Sequence, residues 1–106
     1  MINKFTGKEM PDVLYKISDM VKFKLTVPDK VPSDYPSYDK YYKDRKNFKY
    51  LTIEVFGVIA IVDIYGTFEQ NEEPSYDIYV QNFRDSGKDV FVKHIPQSHI
   101  ICKEYH

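Results

Sequence analysis

The chain predicts an all-β domain, five strands closed into a small barrel, with a short N-terminal helical turn and a long insert between the first two strands. Three observations carry this expectation. Val21, Phe23, Leu25 and Val27 alternate strictly with Lys22, Lys24 and Thr26, the period-two signature of a half-buried strand. The run from Val58 to Ile64 is apolar at nearly every place, as suits a central, strongly curved strand covered on both faces for part of its length. Beyond it Tyr76, Ile78 and Val80 alternate again, and the polar, glycine-containing turn Arg84–Asp89 leads into a return strand that begins Val90-Phe91-Val92.

Taken in order, residues 1 to 14 form an N-terminal segment. Its first nine residues lack periodicity, and Pro11 sits where the first turn of a short helix over residues 12–16 would tolerate it. A polar turn at Ser18-Asp19 opens the first strand. Pro28, Pro32 and Pro36, spaced by Asp29, Ser33, Asp34 and Ser37, forbid regular pairing and start an insert over residues 28–49. Within it, Lys40, Lys43, Lys46 and Lys49 recur every third residue. One face of a short helix and a mobile loop both fit that spacing. Leu51, Ile53 and Val55 resume a strand pattern, and Phe56-Gly57 reads as a bend or bulge before the next strand.

The 106 residues suffice for one modest core, so a single domain is expected over residues 1–106, its barrel spanning 15–102. Hydrophobic residues at 42% beside 29% charged ones describe a soluble globular chain, and no apolar run approaches the ~20 residues of a membrane span. The N-terminus lacks a signal-peptide core and Cys102 has no second cysteine to pair with, so a reducing, cytoplasmic setting is expected. Net charge of −1 makes no global case for nucleic acid. The charge is nevertheless unevenly spread, with five cations against two acids over residues 37–50 and four acids without a base over residues 69–77.

Ile17-Ser18-Asp19-Met20-Val21 resembles the polar turn and first strand that open many SH3-like barrels. Gly57-Val58-Ile59-Ala60-Ile61, Tyr76-Asp77-Ile78 and Val92-Lys93-His94-Ile95-Pro96-Gln97-Ser98-His99-Ile100 resemble the middle and end of Tudor-like and KOW-like modules of that class. The resemblance implies a 3₁₀ turn at Pro96-Gln97-Ser98 before a last strand Ile100-Ile101-Cys102, and a binding platform rather than an enzyme. The overall size and the Tyr-rich, Lys-rich style are also similar to small proteins encoded by phages and mobile elements.

Ten tyrosines, four of them at Tyr35, Tyr38, Tyr41 and Tyr42, are the chemistry to follow. Tyrosine joins a large apolar face to a polar tip and is enriched in interface hot spots. With Lys43, Arg45, Lys46 and Phe48, these rings compose the candidate site, expected to hold a protein partner in the manner of a small inhibitor or adaptor. Rings folded back to cap the barrel would use the same residues structurally. Aromatics interleaved with cations also suit single-stranded nucleic acid or a nucleotide. Self-association through an exposed edge strand, giving a homodimer, is a further expectation.

Other chemistries have less to stand on. A methyl-lysine cage would need Phe56, Tyr65, Tyr76 and Tyr79 to converge. His94, His99 and His106 lack a neighbouring carboxylate cluster, so no metal or other cofactor is expected. Cys102 lies in an apolar strand, no Ser-His-Asp arrangement is discernible, and Glu69, Glu72 and Glu73 read as a self-solvating loop. No catalytic function is expected.

Overall fold

The computed structural model describes residues 1–67 and 71–104. Five antiparallel strands, β1 (Met20–Pro28), β2 (Tyr50–Asp63), β3 (Ser75–Val80), β4 (Val90–Pro96) and β5 (Ile100–Glu104), form one sheet in the order β4-β3-β2-β1-β5. The strand number agrees with the expectation. The sheet is not closed into a barrel by pairing: β4 and β5 stand at its two edges.

β1 behaves as its alternation predicts, with Val21, Phe23 and Val27 buried and Lys24 exposed. β2 differs from its expectation. Instead of bending at Phe56-Gly57, its ladder with β1 runs unbroken through both residues, as Lys22↔Phe56 and Val21↔Gly57. The irregularity lies two residues later, between Ile59 and Ile61, where pairing to β3 shifts register. Gly57 is instead a point of close approach, where an added Cβ would meet Ile78 Cγ2 at 2.5 Å and the Tyr79 carbonyl oxygen at 2.7 Å. The apolar run is also less covered than expected: Ile59 is buried, but Ile61 and Ile64 are exposed.

β2 changes neighbours along its length. It pairs with β1 over residues 50–58 and with β3 over residues 58–63. One fourteen-residue strand therefore belongs to two parts of the sheet, which supplies the curvature that lets Val21, Phe23, Val55, Ile59, Tyr76, Ile78, Val80, Ile95 and Ile100 share one core. A 3₁₀ turn at Gln97–His99 joins β4 to β5, one residue from where it was expected.

The predicted N-terminal helical turn is absent. Gln97 claims the backbone that a helix over residues 12–16 would need: its Oε1 accepts the Leu14 N–H at 3.0 Å and its Nε2 donates to the Asp12 carbonyl at 2.9 Å. The preceding residues fold back on themselves, with an Ile2↔Glu9 bridge and the Met10 N–H donating to the Met1 carbonyl. Fully buried Asn3 ties this turn to the loop after β2, donating to the carbonyls of Tyr65 and Asn71 and accepting from the N–H groups of Phe5 and Thr6.

β5 accompanies β1 only as far as Phe23, and β3 accompanies β2 only from Val58. Beyond those points β1 and β2 run on as a two-stranded ribbon carrying the insert at its end. The radius of gyration, 15.9 Å, exceeds the roughly 13 Å of a compact chain of this length. The ribbon and its tip make the molecule elongated.

Candidate functional site

The insert is folded. Asp29 closes its base by donating its N–H to the Lys49 carbonyl at 2.8 Å and accepting the Lys49 N–H on Oδ1 at 3.2 Å. Pro32–Asp34 form a 3₁₀ turn, with Asp34 accepting the Val31 N–H at 2.9 Å. Ser37 then caps α1 (Tyr38–Asp44), its hydroxyl accepting the Lys40 N–H, as a helix start requires. α1 passes directly into a 3₁₀ turn at Arg45–Asn47. Because the α-helix ends at Asp44, the four lysines do not share one helix face: Lys40 and Lys43 lie on α1, Lys46 on the 3₁₀ turn and Lys49 beyond both.

The eight candidate residues divide by the helix period. Tyr41 turns inward onto Phe48 at 5.0 Å between ring centroids and onto Tyr35 at 5.7 Å, and Phe48 is buried. Tyr38, Tyr42 and Arg45 follow one another at intervals of four and three residues and make a stripe on the outside. Tyr38 is 61% exposed and Tyr42 50%. Their rings stand 5.1 Å apart, and the Arg45 guanidinium lies 5.0 Å over the Tyr42 ring. Lys43 and Lys46 are exposed beside them. The inner rings thus fold back on one another at the tip of the ribbon rather than capping the core, and the outer ones are exposed.

Asp44 locks the inner cluster. It accepts the Tyr35 hydroxyl and, at 2.8 Å, the Asn47 amide, and these donors hold its carboxyl below the ordinary carboxylate value. The same hydrogen bond, reinforced by desolvation and by the Asp44, Asp29 and Asp34 charges, pushes the Tyr35 phenol up to about 12. A depressed carboxyl stabilises the folded insert above the ordinary value of 3.8, and that contribution is lost as pH falls through the folded-state value. A raised phenol contributes below its ordinary value of 10.0 and stops contributing as pH rises through about 12. In an alkaline titration followed by tyrosinate absorbance, Tyr35 is expected to ionise well above the ordinary phenol value of 10.0, at about 12. Tyr35→Phe is expected to move the Asp44 titration, read by NMR, up toward 3.8.

Residues 24–54, the ribbon with its insert, carry seven cations against five acids; the remainder of the chain carries eight against eleven. The tip is therefore the positive end of a weakly dipolar molecule.

The other sequence candidates do not assemble. Tyr76 is buried, Tyr65 packs on Phe5 at 5.5 Å, and Phe56 and Tyr79 lie on the sheet's outer face, so the four rings of a cage do not converge. His94 and His99 are both exposed, and His106 lies outside the described residues. Among the described residues no three metal-ligating side chains come together. Glu73 is not merely solvated: it accepts the Ser98 N–H and hydroxyl, whereas Glu69 lies outside the described residues. Cys102 is exposed on β5, where donation to Glu104 raises its thiol.

No protein-family model, curated protein or solved structure matches this chain. The site has to be read from its own chemistry. The division of the rings was present in the sequence, since Ser37 is a helix cap and Tyr38, Tyr42 and Arg45 share its outer stripe, but the helix was needed to see it.

Proposed function

We propose that the protein is a non-enzymatic binding module that grips a protein partner with the outer stripe of its insert, as a small adaptor or inhibitor does. The observation that carries this reading is the pair of half-exposed or more exposed rings, Tyr38 and Tyr42, held by an inner aromatic cluster at the end of a ribbon. Rigid tyrosines beside a stacked arginine supply contact area at low entropic cost, which is the composition of interface hot spots. The scaffold beneath is read as SH3-like. Support comes from β1 lying between β2 and β5, from β2 serving two parts of the sheet, and from the 3₁₀ turn before β5.

A second reading has its own observation. The Arg45 guanidinium on the Tyr42 ring, flanked by Lys43 and Lys46, is a surface on which a base can stack while cations hold phosphate. Titration with labelled single-stranded DNA and RNA separates the two. The protein-partner reading expects no binding at about 50 mM salt. Binding that weakens on the order of fiftyfold between 50 and 200 mM salt, the behaviour of about four phosphate contacts, and that is lost on charge reversal of Lys43, Arg45 and Lys46, would put nucleic acid in its place.

A further inference from the structure

The sheet's edges are not equally protected. The free edge of β4 is interrupted by a bulge at His94, whose φ is +61°, beside exposed Lys93. β5 has five residues and ends in Lys103 and Glu104. Along the ribbon, the outer edge of β1 carries Lys24 and Pro28. These are the usual guards against unwanted strand pairing. The outer edge of β2 over residues 50–56, Tyr-Leu-Thr-Ile-Glu-Val-Phe, has neither lysine, proline nor bulge; its one charge, Glu54, is paired with Lys22 of β1 at 3.5 Å, and Tyr50, Leu51 and Phe56 are 59%, 40% and 53% exposed.

The backbone of that edge is set to accept a strand. Asp29 bonds to Lys49, and Asp19 bonds to Ile59, at the two ends of the β1–β2 ladder. Hydrogen-bonded positions alternate between those ends, so the odd residues of β2 face β1, and Tyr50, Thr52, Glu54 and Phe56 direct their N–H and carbonyl groups outward. No described strand is laddered to this edge before Val58, where pairing with β3 begins.

From this edge we infer that two copies of the chain pair β2 to β2, antiparallel, about a two-fold axis at Ile53. That register sets Tyr50 opposite Phe56 and Thr52 opposite Glu54, so every outward backbone group finds its counterpart. On the core side it sets Leu51 opposite Val55 and Ile53 opposite its own copy. A shift of the axis to Glu54 would oppose two carboxylates, and a shift to Thr52 would leave Phe56 beyond the end of the partner strand. The antiparallel sense also lays the cationic arm of each copy along the acidic remainder of the other. The inference does not depend on the role of the insert.

Sedimentation of the full chain over a wide concentration range tests it, with three variants at Thr52, an exposed residue. The unmodified chain is expected to pass reversibly from 12.6 kDa toward twice that mass. Thr52→Pro removes an outward N–H and breaks no backbone bond to β1, giving up only the 3.3 Å hydroxyl contact with Thr26, and is expected to stay monomeric and folded. Thr52→Glu sets a carboxylate opposite Glu54 of the other copy at two symmetric places and is expected to weaken the dimer on the order of tenfold, whereas Thr52→Lys is expected to tighten it. A chain that remains monomeric up to millimolar concentration overturns the inference. So does a dimer to which Thr52→Glu and Thr52→Lys are indifferent, and this pair decides the matter even if the proline variant does not fold.

Discussion

Tyr76→Ala is expected to lower the unfolding free energy by about 3–5 kcal/mol, the cost of emptying a large aromatic site in a core. Tyr76 is 1% exposed, sets its ring against Tyr15 at 5.7 Å and donates its hydroxyl to Gln97 Oε1. Gln97 in turn holds Leu14 and Asp12, so one phenol joins the core to the clasp that keeps the N-terminal segment in place. The two roles are separable. Tyr76→Phe keeps the ring and leaves Gln97 Oε1 still paired with the Leu14 N–H, so its cost is expected near 1 kcal/mol. Urea denaturation reads both, with a shifted midpoint at unchanged slope marking a loss of stability rather than of two-state behaviour. Equal losses in the two variants would move the weight of the account from the ring to the hydroxyl.

Gly57→Ala is expected to cost about 2–3 kcal/mol, although alanine is ordinarily the better strand residue. The cause is space rather than backbone conformation. The new Cβ would lie 2.5 Å from Ile78 Cγ2 and 2.7 Å from the Tyr79 carbonyl oxygen. The isoleucine can change rotamer, but the carbonyl belongs to the strand that crosses there. Relief requires β3 to move off β2 at the point where β2 passes from one neighbour to the other. Gly87→Ala is the control: its φ of +75° makes alanine strained, but nothing lies within 4 Å of the new methyl. A Gly57→Ala variant as stable as the unmodified chain would mean that β2 and β3 do not cross so closely.

Much of the sheet was legible because each strand writes its own period. The alternation from Val21 to Val27 and from Tyr76 to Val80 needs only local chemistry, and Pro96 announces the turn before β5. What was not legible depends on distant partners. Gly57 reads as a bend in sequence and proves to be a contact, because the residues that need its missing side chain, Ile78 and Tyr79, are 21 and 22 positions away. Pro11 suits a helix, yet Gln97 takes the backbone of residues 12 and 14 from across the fold. In the insert, composition marks eight candidate residues but cannot tell the tyrosines that pack inward from those that are exposed. That division needed Phe48 to be buried against Tyr41, with Asp44 closing on Tyr35.

The claim that the outer stripe of the insert is the recognition surface is tested most directly by the double variant Tyr38→Ala, Tyr42→Ala. Quantitative capture of binding proteins by the unmodified chain and by this variant would be compared, with thermal unfolding of both. The account predicts that a partner captured by the unmodified chain is lost from the variant while the melting temperature stays nearly unchanged, since neither ring is in the core. The same partner captured equally by both proteins would contradict it.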